Sequence, residues 1–408
     1  MKLANGRKPG RRTILLFDQV LSSASNYGLS LVVARQTSAG EFGRFSLVYL
    51  CALLITGLQR GMVFEPVLAS DGSDERVHRM KIASAAFGAA VAMASIGAAV
   101  LSGPTYQGIG VLMAVLLVPL LATDRARYVA FLRDPSRALL IDALWLAIQA
   151  GGFIVLVLVG ADQSAPYLAV WGIGAGVALL CSGHVRVARP DLAGLKAWFR
   201  NDLRRSIGFA IDFLLSQGVS LTAVIGVGAV AGKEIAGALR AGQLTGGPII
   251  VALAVVPIIL LPRIRAQPAK AVRLVVEFAV LAAIASVAWF GLLIVVGVDG
   301  LRHILGDSAS AVAPLLPQFM LYFILVCIGI PVASGVKSLG TARHFVTARL
   351  IAVPASLAVI PVVALWPSAN AAAWALVGAG VASAVIWSGI FPWALRGGAS
   401  DAHRTTGT

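Results

Sequence analysis

Apolar stretches long enough to cross a lipid bilayer as helices fill most of this 408-residue chain, and short polar connections separate them. In a bilayer every backbone N–H and C=O group must be bonded internally, so each such stretch is expected to form a helix. The sequence therefore predicts an all-α, polytopic membrane protein with about twelve transmembrane helices. The predicted spans are 14–34, 44–69, 81–101, 109–131, 139–160, 165–185, 208–231, 236–262, 274–297, 313–336, 345–366 and 371–395.

The composition excludes a soluble globular domain. Hydrophobic residues make up 58% of the chain, charged residues make up 12%, and the mean hydropathy is +0.88. A water-soluble fold of this composition would expose far more apolar surface than its core can bury. The net charge of +15 raises the question of nucleic acid. The basic residues are spread over several connections instead of one face, so no nucleic-acid partner is expected.

The basic residues lie mostly in alternate connections, and this pattern predicts the orientation. Clusters of Lys and Arg precede the first span, follow the second, fourth, sixth, eighth and tenth spans, and end the chain. By the positive-inside rule these connections are cytoplasmic. We therefore expect a multi-pass protein of the plasma (inner) membrane, with the N- and C-termini in the cytoplasm.

The longest basic connection divides the spans into two sets of six. We predict an N-terminal lobe over 1–185, a basic amphipathic linker over 186–206, and a C-terminal lobe over 207–408 with a short cytoplasmic tail. Within the linker, basic residues recur every four positions and apolar residues fall toward another side. This pattern is typical of a helix lying along the inner leaflet, and the alternative is a solvated linker. The residues are Lys196, Arg200 and Arg204, with Leu192, Leu195 and Phe199.

The first and seventh spans carry matching polar stripes with four-residue spacing. An outer turn with the pair Ala-Gly follows each span, at Ala39-Gly40-Glu41 and at Ala231-Gly232-Lys233-Glu234. Such a correspondence is expected of a six-plus-six repeat. Polar groups on one helix face either bond to neighbouring helices or line a cavity, and a carboxylate in a membrane span is also a candidate for coupling. The stripes are Asp18, Ser22 and Asn26, and Asp212, Ser216 and Ser220.

Two arginines lie deep within predicted spans. Arg60 is about nine residues from the inner end of the second span, roughly 13 Å at helical rise, and Arg240 lies in the eighth span with Gln243 on its face. Glu65 is a poor intrahelical partner for Arg60, because five residues correspond to about 140° around an α-helix. The arginines either bind an anionic cargo such as a phosphate or form structural salt bridges, for instance with Asp142 or Glu234.

Charged residues cluster where the fourth and fifth spans meet the predicted cytoplasmic side. The run Asp124-Arg125-Ala126-Arg127-Tyr128 precedes Asp142 in the fifth span. Asp124 and Asp142 are candidates to carry a coupling proton. The alternative is that they form ion pairs with Arg127 or Arg125.

Three segments resemble the Wzx-type polysaccharide flippases of the multidrug/oligosaccharidyl-lipid/polysaccharide (MOP) exporter superfamily. The similarity includes Glu41-Phe42-Gly43 after the first span and Gly237-Ala238-Leu239-Arg240 before a Gly-Pro pair, and in topology it covers the whole chain. The segments are FDQVLSSASNYGLSLVVARQTSAGEFGRFSLV, TDRARYVAFLRDPSRALLIDALW and EIAGALRAGQLTGGPIIVALAVVP.

This resemblance implies a V-shaped, two-lobed helical transporter that moves polyprenyl-diphosphate-linked oligosaccharide to the outer leaflet by alternating access. It implies that Arg60 and Arg240 meet the diphosphate. The chain lacks two further spans of the related lipid II flippases, so lipid II is the less expected cargo. The implied partners are the lipid-linked glycan, membrane lipids and envelope-assembly proteins such as a polysaccharide polymerase. The residues implied to line and close the cavity are Asp18, Asn26, Asp212 and Gln217.

Other classes remain open from the sequence. A sister branch of the superfamily exports drugs in exchange for a cation, with an acid on the first span that Asp18 would match. The major facilitator fold also has twelve spans, but 71–76 does not reproduce its usual signature. A membrane enzyme or an envelope scaffold is a further alternative, although the histidines are scattered and no HExxH, GxSxG or P-loop motif occurs. We expect a transporter without enzymatic activity, catalytic residues, cofactor or metal.

Overall fold

The computed structural model describes residues 9–68, 73–101, 104–182, 191–339 and 342–405, and these residues form helices without any β-strand. The all-α prediction is therefore confirmed for the part of the chain that the structure describes. Each predicted span overlaps a helical segment. Eight of the described segments are long and apolar enough to cross a membrane by length and composition.

The chain forms two compact units. The first unit comprises Met1–Thr37 and Val48–Leu214, and the second comprises Ser38–Leu47 and Leu215–Thr408. The lobe boundaries at 185 and 207 stay predictions of membrane topology. The helices up to the predicted linker are α1 (Pro9–Gln36), α2 (Ala39–Gln59), α3 (Glu65–Leu68), α4 (Asp74–Leu101), α5 (Pro104–Arg133), α6 (Pro135–Leu158) and α7 (Ser164–Cys181).

The remaining helices begin within that linker, and the last of them ends at Thr405. A π-helical turn, Arg60–Phe64, joins α2 to α3, and a second, Leu214–Gly218, joins α9 to α10. The helices are α8 (Leu192–Asn201), α9 (Leu203–Phe213), α10 (Val219–Ala231), α11 (Lys233–Thr245), α12 (Gly247–Ala266), α13 (Ala271–Leu305), α14 (Ser308–Val312), α15 (Leu316–Leu339), α16 (Ala342–Leu357), α17 (Val359–Leu365) and α18 (Ala369–Thr405).

Polar side chains tie the helices of the first unit together. Ser25 of α1 donates to the side-chain oxygen of Gln149 in α6, and the Gln149 amide donates back to the Ser25 carbonyl at 3.3 Å. The Trp145 indole N–H of α6 donates to the Trp171 carbonyl of α7 at 2.9 Å. In a bilayer such interhelical bonds each contribute about 0.6–2 kcal/mol. Ser25, adjacent to the predicted stripe of α1, therefore acts as a packing residue.

In the second unit, the segments that follow the two Ala-Gly turns lie against each other. A Cβ atom on Gly43 would lie 2.0 Å from the Lys233 carbonyl oxygen, and one on Gly237 would lie 3.0 Å from the Gly43 Cα atom. The start of α2 and the start of α11 therefore touch through backbone, which only glycine allows at this separation. The Ala-Gly turns that suggested a repeat are thus also a packing contact.

We expect Gly43→Val to destabilise the second unit by more than about 2 kcal/mol, because the new side chain collides with a backbone carbonyl that no rotamer change can move. Thermal unfolding of the purified protein in a mild detergent measures the effect. Gly151→Ala is the matched control, since that helical glycine has open space around its Cβ position and alanine favours the helix by up to about 1 kcal/mol. Equal unfolding temperatures for the two variants would contradict the contact.

Candidate functional site

Arg60 lies at the start of the π-helical turn Arg60–Phe64. The Glu65 backbone N–H bonds to the Arg60 carbonyl, five residues earlier. Glu65 therefore lies about one full turn after Arg60, whereas in an α-helix the two residues would be about 140° apart around the axis. The preceding residue, Gln59, is buried and donates to the Ser84 hydroxyl of α4 at 3.0 Å. π-Helical turns within α-helices are frequent at functional sites.

Glycines allow α9 to approach this turn closely. A Cβ atom on Gly57 would lie 2.2 Å from the Phe213 ring, and one on Gly61 would lie 2.9 Å from the Phe213 Cβ atom. Phe213 therefore fills the space that side chains at both glycines would occupy. The helix carrying Arg60 is thus held between α4 and α9 within the first unit.

Arg60 forms a two-point ion pair with Asp124 of α5. The Arg60 Nε atom is 2.7 Å from one carboxylate oxygen, and its Nη2 atom is 2.8 Å from the other. Two parallel bonds of this kind orient the guanidinium as well as neutralise it. The sequence suggested Asp142 and Glu234 as ion-pair partners for Arg60 and Arg240. The structure pairs Arg60 with Asp124, which the sequence did not identify as its partner.

The pair continues into a chain of four charges. Arg127, one turn after Asp124 on α5, lies 3.2 Å from an Asp124 oxygen and 2.6 Å from an oxygen of Asp142 in α6. The predicted ion pairing of Asp124 and Asp142 with Arg127 is therefore confirmed. Two arginines and two aspartates balance, so this chain of four charges carries no net charge.

The four side chains differ sharply in exposure. Asp124, Arg127 and Asp142 are 4%, 5% and 2% exposed, whereas the Arg60 side chain is 34% exposed. Burying three charged groups is tolerable only because each is paired. Arg60 is therefore the least buried member of the four, and its two bonds to buried Asp124 fix the direction of its guanidinium.

The second unit holds Arg240 and Gln243, both half-buried. The Arg240 guanidinium donates to the Gln243 side-chain oxygen at 3.4 Å. Their helix, α11, ends at Thr245, and α12 begins after Gly246 with Pro248 in its first turn. The Trp289 indole N–H bonds to the Thr245 carbonyl at 2.6 Å, which satisfies a backbone group that the interruption leaves without a helical partner.

Phenylalanine rings fix this interruption in the helix. Cβ atoms on Gly242 and Gly246 would lie 1.9 Å and 2.0 Å from the rings of Phe319 and Phe323 of α15. The interruption between α11 and α12 is therefore packed against α15. Arg60 belongs to the first unit and Arg240 to the second.

The other predicted site residues lie on α1, α9 and the second π-helical turn. Ser22 and Asn26 are half-buried, and Asp212, in the last turn of α9, is also half-buried. Gln217 is exposed within the turn Leu214–Gly218. The side chains of Asp18 and Ser216 lie outside the described residues. The roles assigned to these residues stay predictions.

These features define the class of the protein. Eight described helical segments are long and apolar enough to cross a membrane, the buried carboxylates of Asp124 and Asp142 are paired with arginine, and the chain forms two compact units. The protein is a multi-pass membrane protein that is helical throughout the described residues, and its fold is similar to that of MurJ and MATE structures.

Solved structures with the same fold identify it. The structure of the lipid II flippase MurJ in an inward closed conformation matches with a TM-score of 0.70 and 10% identity, over 93% of this chain and 87% of that one. MATE in the bent conformation matches with a TM-score of 0.60 and 12% identity, over 97% and 95%. An outward-facing multidrug resistance MATE family transporter of the MOP superfamily matches with a TM-score of 0.60 and 12% identity, over 97% of each chain.

No protein-family model and no curated protein matches the sequence. The structural likeness therefore establishes the fold alone.

Proposed function

We propose that the protein is a flippase that moves polyprenyl-diphosphate-linked oligosaccharide from the cytoplasmic to the outer leaflet by alternating access. In this proposal it resides in the plasma (inner) membrane with both termini in the cytoplasm, and it supplies glycan for polysaccharide biosynthesis. Envelope-assembly proteins, such as a polysaccharide polymerase, would take up the delivered glycan. The observation that carries the proposal is Arg60, a partly exposed arginine held by buried charges inside a membrane-spanning segment.

A diphosphate fits the chemistry of Arg60. The guanidinium offers a planar fork of donors that matches phosphate oxygens, and its charge persists at every physiological pH. Asp124 already occupies that fork with two oxygens. A diphosphate would compete for the same geometry with more negative charge. Asp124 retains Arg127 after such an exchange, so cargo can be captured and released without leaving a buried carboxylate unpaired.

Arg240 and Gln243 supply a corresponding pair in the second unit. Arg240 would bind phosphate, and the Gln243 amide would bond to phosphate or sugar hydroxyl groups. Asn26 on α1 offers a further amide for the glycan.

Cation-coupled export of drugs is the second candidate, because MATE structures share the fold. That function requires a carboxylate that exchanges a cation for the drug. Asp124 and Asp142 are both paired with arginine, so an exchanging cation would have to displace a buried arginine, which makes exchange less favourable. Asp18 and Asp212 are the remaining acids for this role, and Asp18 is the one that the drug-exporter branch would use.

Equilibrium binding of a short-chain isoprenyl diphosphate to the detergent-purified protein tests the proposal. We expect saturable binding that falls roughly tenfold in Arg240→Ala, since one charge-assisted hydrogen bond contributes about 1.5–3 kcal/mol. Arg273→Ala is the control, because Arg273 is an exposed arginine already paired with Glu277 at 2.6 Å. Equal affinity for the diphosphate and for the corresponding uncharged isoprenyl alcohol would contradict a phosphate site.

A further inference from the structure

The short helix α8 packs against α4 in the first unit. Trp198 is 4% exposed and packs in a hydrophobic cluster. Asp191 caps the helix by accepting from the Gly194 backbone N–H at 2.9 Å, and this bond lowers the pKa of the Asp191 carboxyl below its ordinary value. The other buried members of the cluster are Val63, Phe64, Val67, Val77, Met80 and Ala83.

The contact with α4 sets the height of α8 in the membrane. Helix α4 is rich in charge from Asp74 to Lys81 and becomes apolar from Ile82 onward. A Cβ atom on Gly194 would lie 2.5 Å from the Ile82 Cδ1 atom. Helix α8 therefore crosses α4 where its apolar part begins, which is the level of the lipid headgroups for a membrane-spanning helix.

The face of α8 opposite Trp198 combines large apolar and basic side chains. Leu192 and Phe199 are 82% and 52% exposed, and Lys196 and Arg200 are also exposed. At 100° per residue these four side chains fall within about 100° of the helix circumference, centred about 150° from Trp198. The predicted amphipathic helix is thus present, but Trp198 holds it to the protein while Leu192 and Phe199 point away.

Neither water nor the hydrocarbon core suits this face. Water would leave two large apolar side chains hydrated, and hydrocarbon would strip two cations of solvent. The headgroup layer suits both groups, because apolar side chains enter the acyl boundary while Lys and Arg reach the phosphates. Basic residues at that depth favour anionic lipids by about 1 kcal/mol each.

We infer that the face formed by Leu192, Lys196, Phe199 and Arg200 is a docking surface for anionic phospholipid headgroups of the leaflet at the basic ends of the helices. Phe64, which shares the cluster with Trp198, lies four residues after Arg60. Helix α8 is therefore packed against the segment that follows Arg60.

A fluorescent probe at position 199 tests this surface without any cargo. In a background with Cys51, Cys181 and Cys327 replaced by alanine, Phe199→Cys is labelled with an environment-sensitive dye and reconstituted into phospholipid vesicles. We expect blue-shifted emission, with quenching by lipids brominated near the headgroup, in vesicles containing phosphatidylglycerol. In vesicles of phosphatidylcholine alone, the ratio of docked to undocked probe is expected to fall roughly tenfold or more.

Charge variants decide whether Lys196 and Arg200 cause this preference. The double variant K196E/R200E is expected to lose the dependence on phosphatidylglycerol, and K196Q/R200Q is expected to lose most of it. Arg133→Glu is the control, because Arg133 is an exposed basic residue beyond this face and its substitution leaves the probe signal unchanged. Identical emission and quenching in both lipid mixtures, or a glutamine variant that behaves like the parent protein, would overturn the inference.

Discussion

Replacing Arg127 with alanine is expected to destabilise the protein by about 3–5 kcal/mol. Arg127 is 5% exposed and forms ion pairs with Asp142, which is 2% exposed, and with Asp124, which is also paired with Arg60. The variant therefore leaves Asp142 charged, buried and without this partner. Thermal unfolding in a mild detergent measures the loss, and a large drop in unfolding temperature is the expected result.

Two further variants separate this effect from a general sensitivity to charge loss. Arg127→Met combined with Asp142→Leu removes both charges of the inner pair, leaves Arg60 with Asp124, and is expected to restore or exceed the original stability. Arg133→Ala removes an exposed arginine whose partner, Asp74, is 92% exposed, and its cost is expected to stay below about 1 kcal/mol. A double variant as unstable as Arg127→Ala would show that the buried pair is not the cause.

Replacing Arg60 with alanine is expected to reduce diphosphate-cargo crossing by roughly 100-fold, since two charge-assisted bonds contribute about 3 kcal/mol or more. The fold is expected to persist, because Asp124 keeps Arg127 within 3.2 Å. Crossing is measured in proteoliposomes with a fluorescent polyprenyl-diphosphate oligosaccharide and a membrane-impermeant quencher. Membrane abundance and unfolding temperature are recorded for the same preparation.

Conservative substitutions around Arg60 test the proposed competition. Arg60→Lys keeps the charge but not the fork, so part of the crossing activity is expected to remain. Asp124→Asn removes the charge that competes with the diphosphate, so cargo is expected to bind at least as tightly as in the wild-type protein. Wild-type crossing in Arg60→Ala would remove Arg60 from the site, and weaker cargo binding in Asp124→Asn would contradict the competition.

The helices were predictable because membrane spans depend on length and apolar composition, which any single sequence displays. The interruption at Gly246 also has a local signal in the sequence, because glycine and proline disfavour a continuous helix at the place where they occur. The two Ala-Gly turns suggested a sequence repeat, but they did not predict the close contact of Gly43 with Gly237. Its packing role depends on two turns far apart in the chain.

The environment of Arg60 was harder to predict, because it depends on two features without a local sequence signal. The Arg60–Phe64 turn is π-helical, which changes the angle between Arg60 and Glu65 that an α-helix would give. The partner of Arg60 is Asp124, 64 residues away, and the sequence offered several other acids. The Asp124 to Arg127 pair was predictable because three-residue spacing places both on one helix face.

The measurement that tests the flippase proposal most directly is cargo selectivity of transbilayer movement by the wild-type protein. Proteoliposomes are loaded in parallel with a fluorescent polyprenyl-diphosphate oligosaccharide and with a small organic cation. The proposal predicts protein-dependent crossing of the diphosphate lipid and no gradient-driven efflux of the cation. Efflux of the cation without movement of the diphosphate lipid would contradict it and assign the protein to drug export.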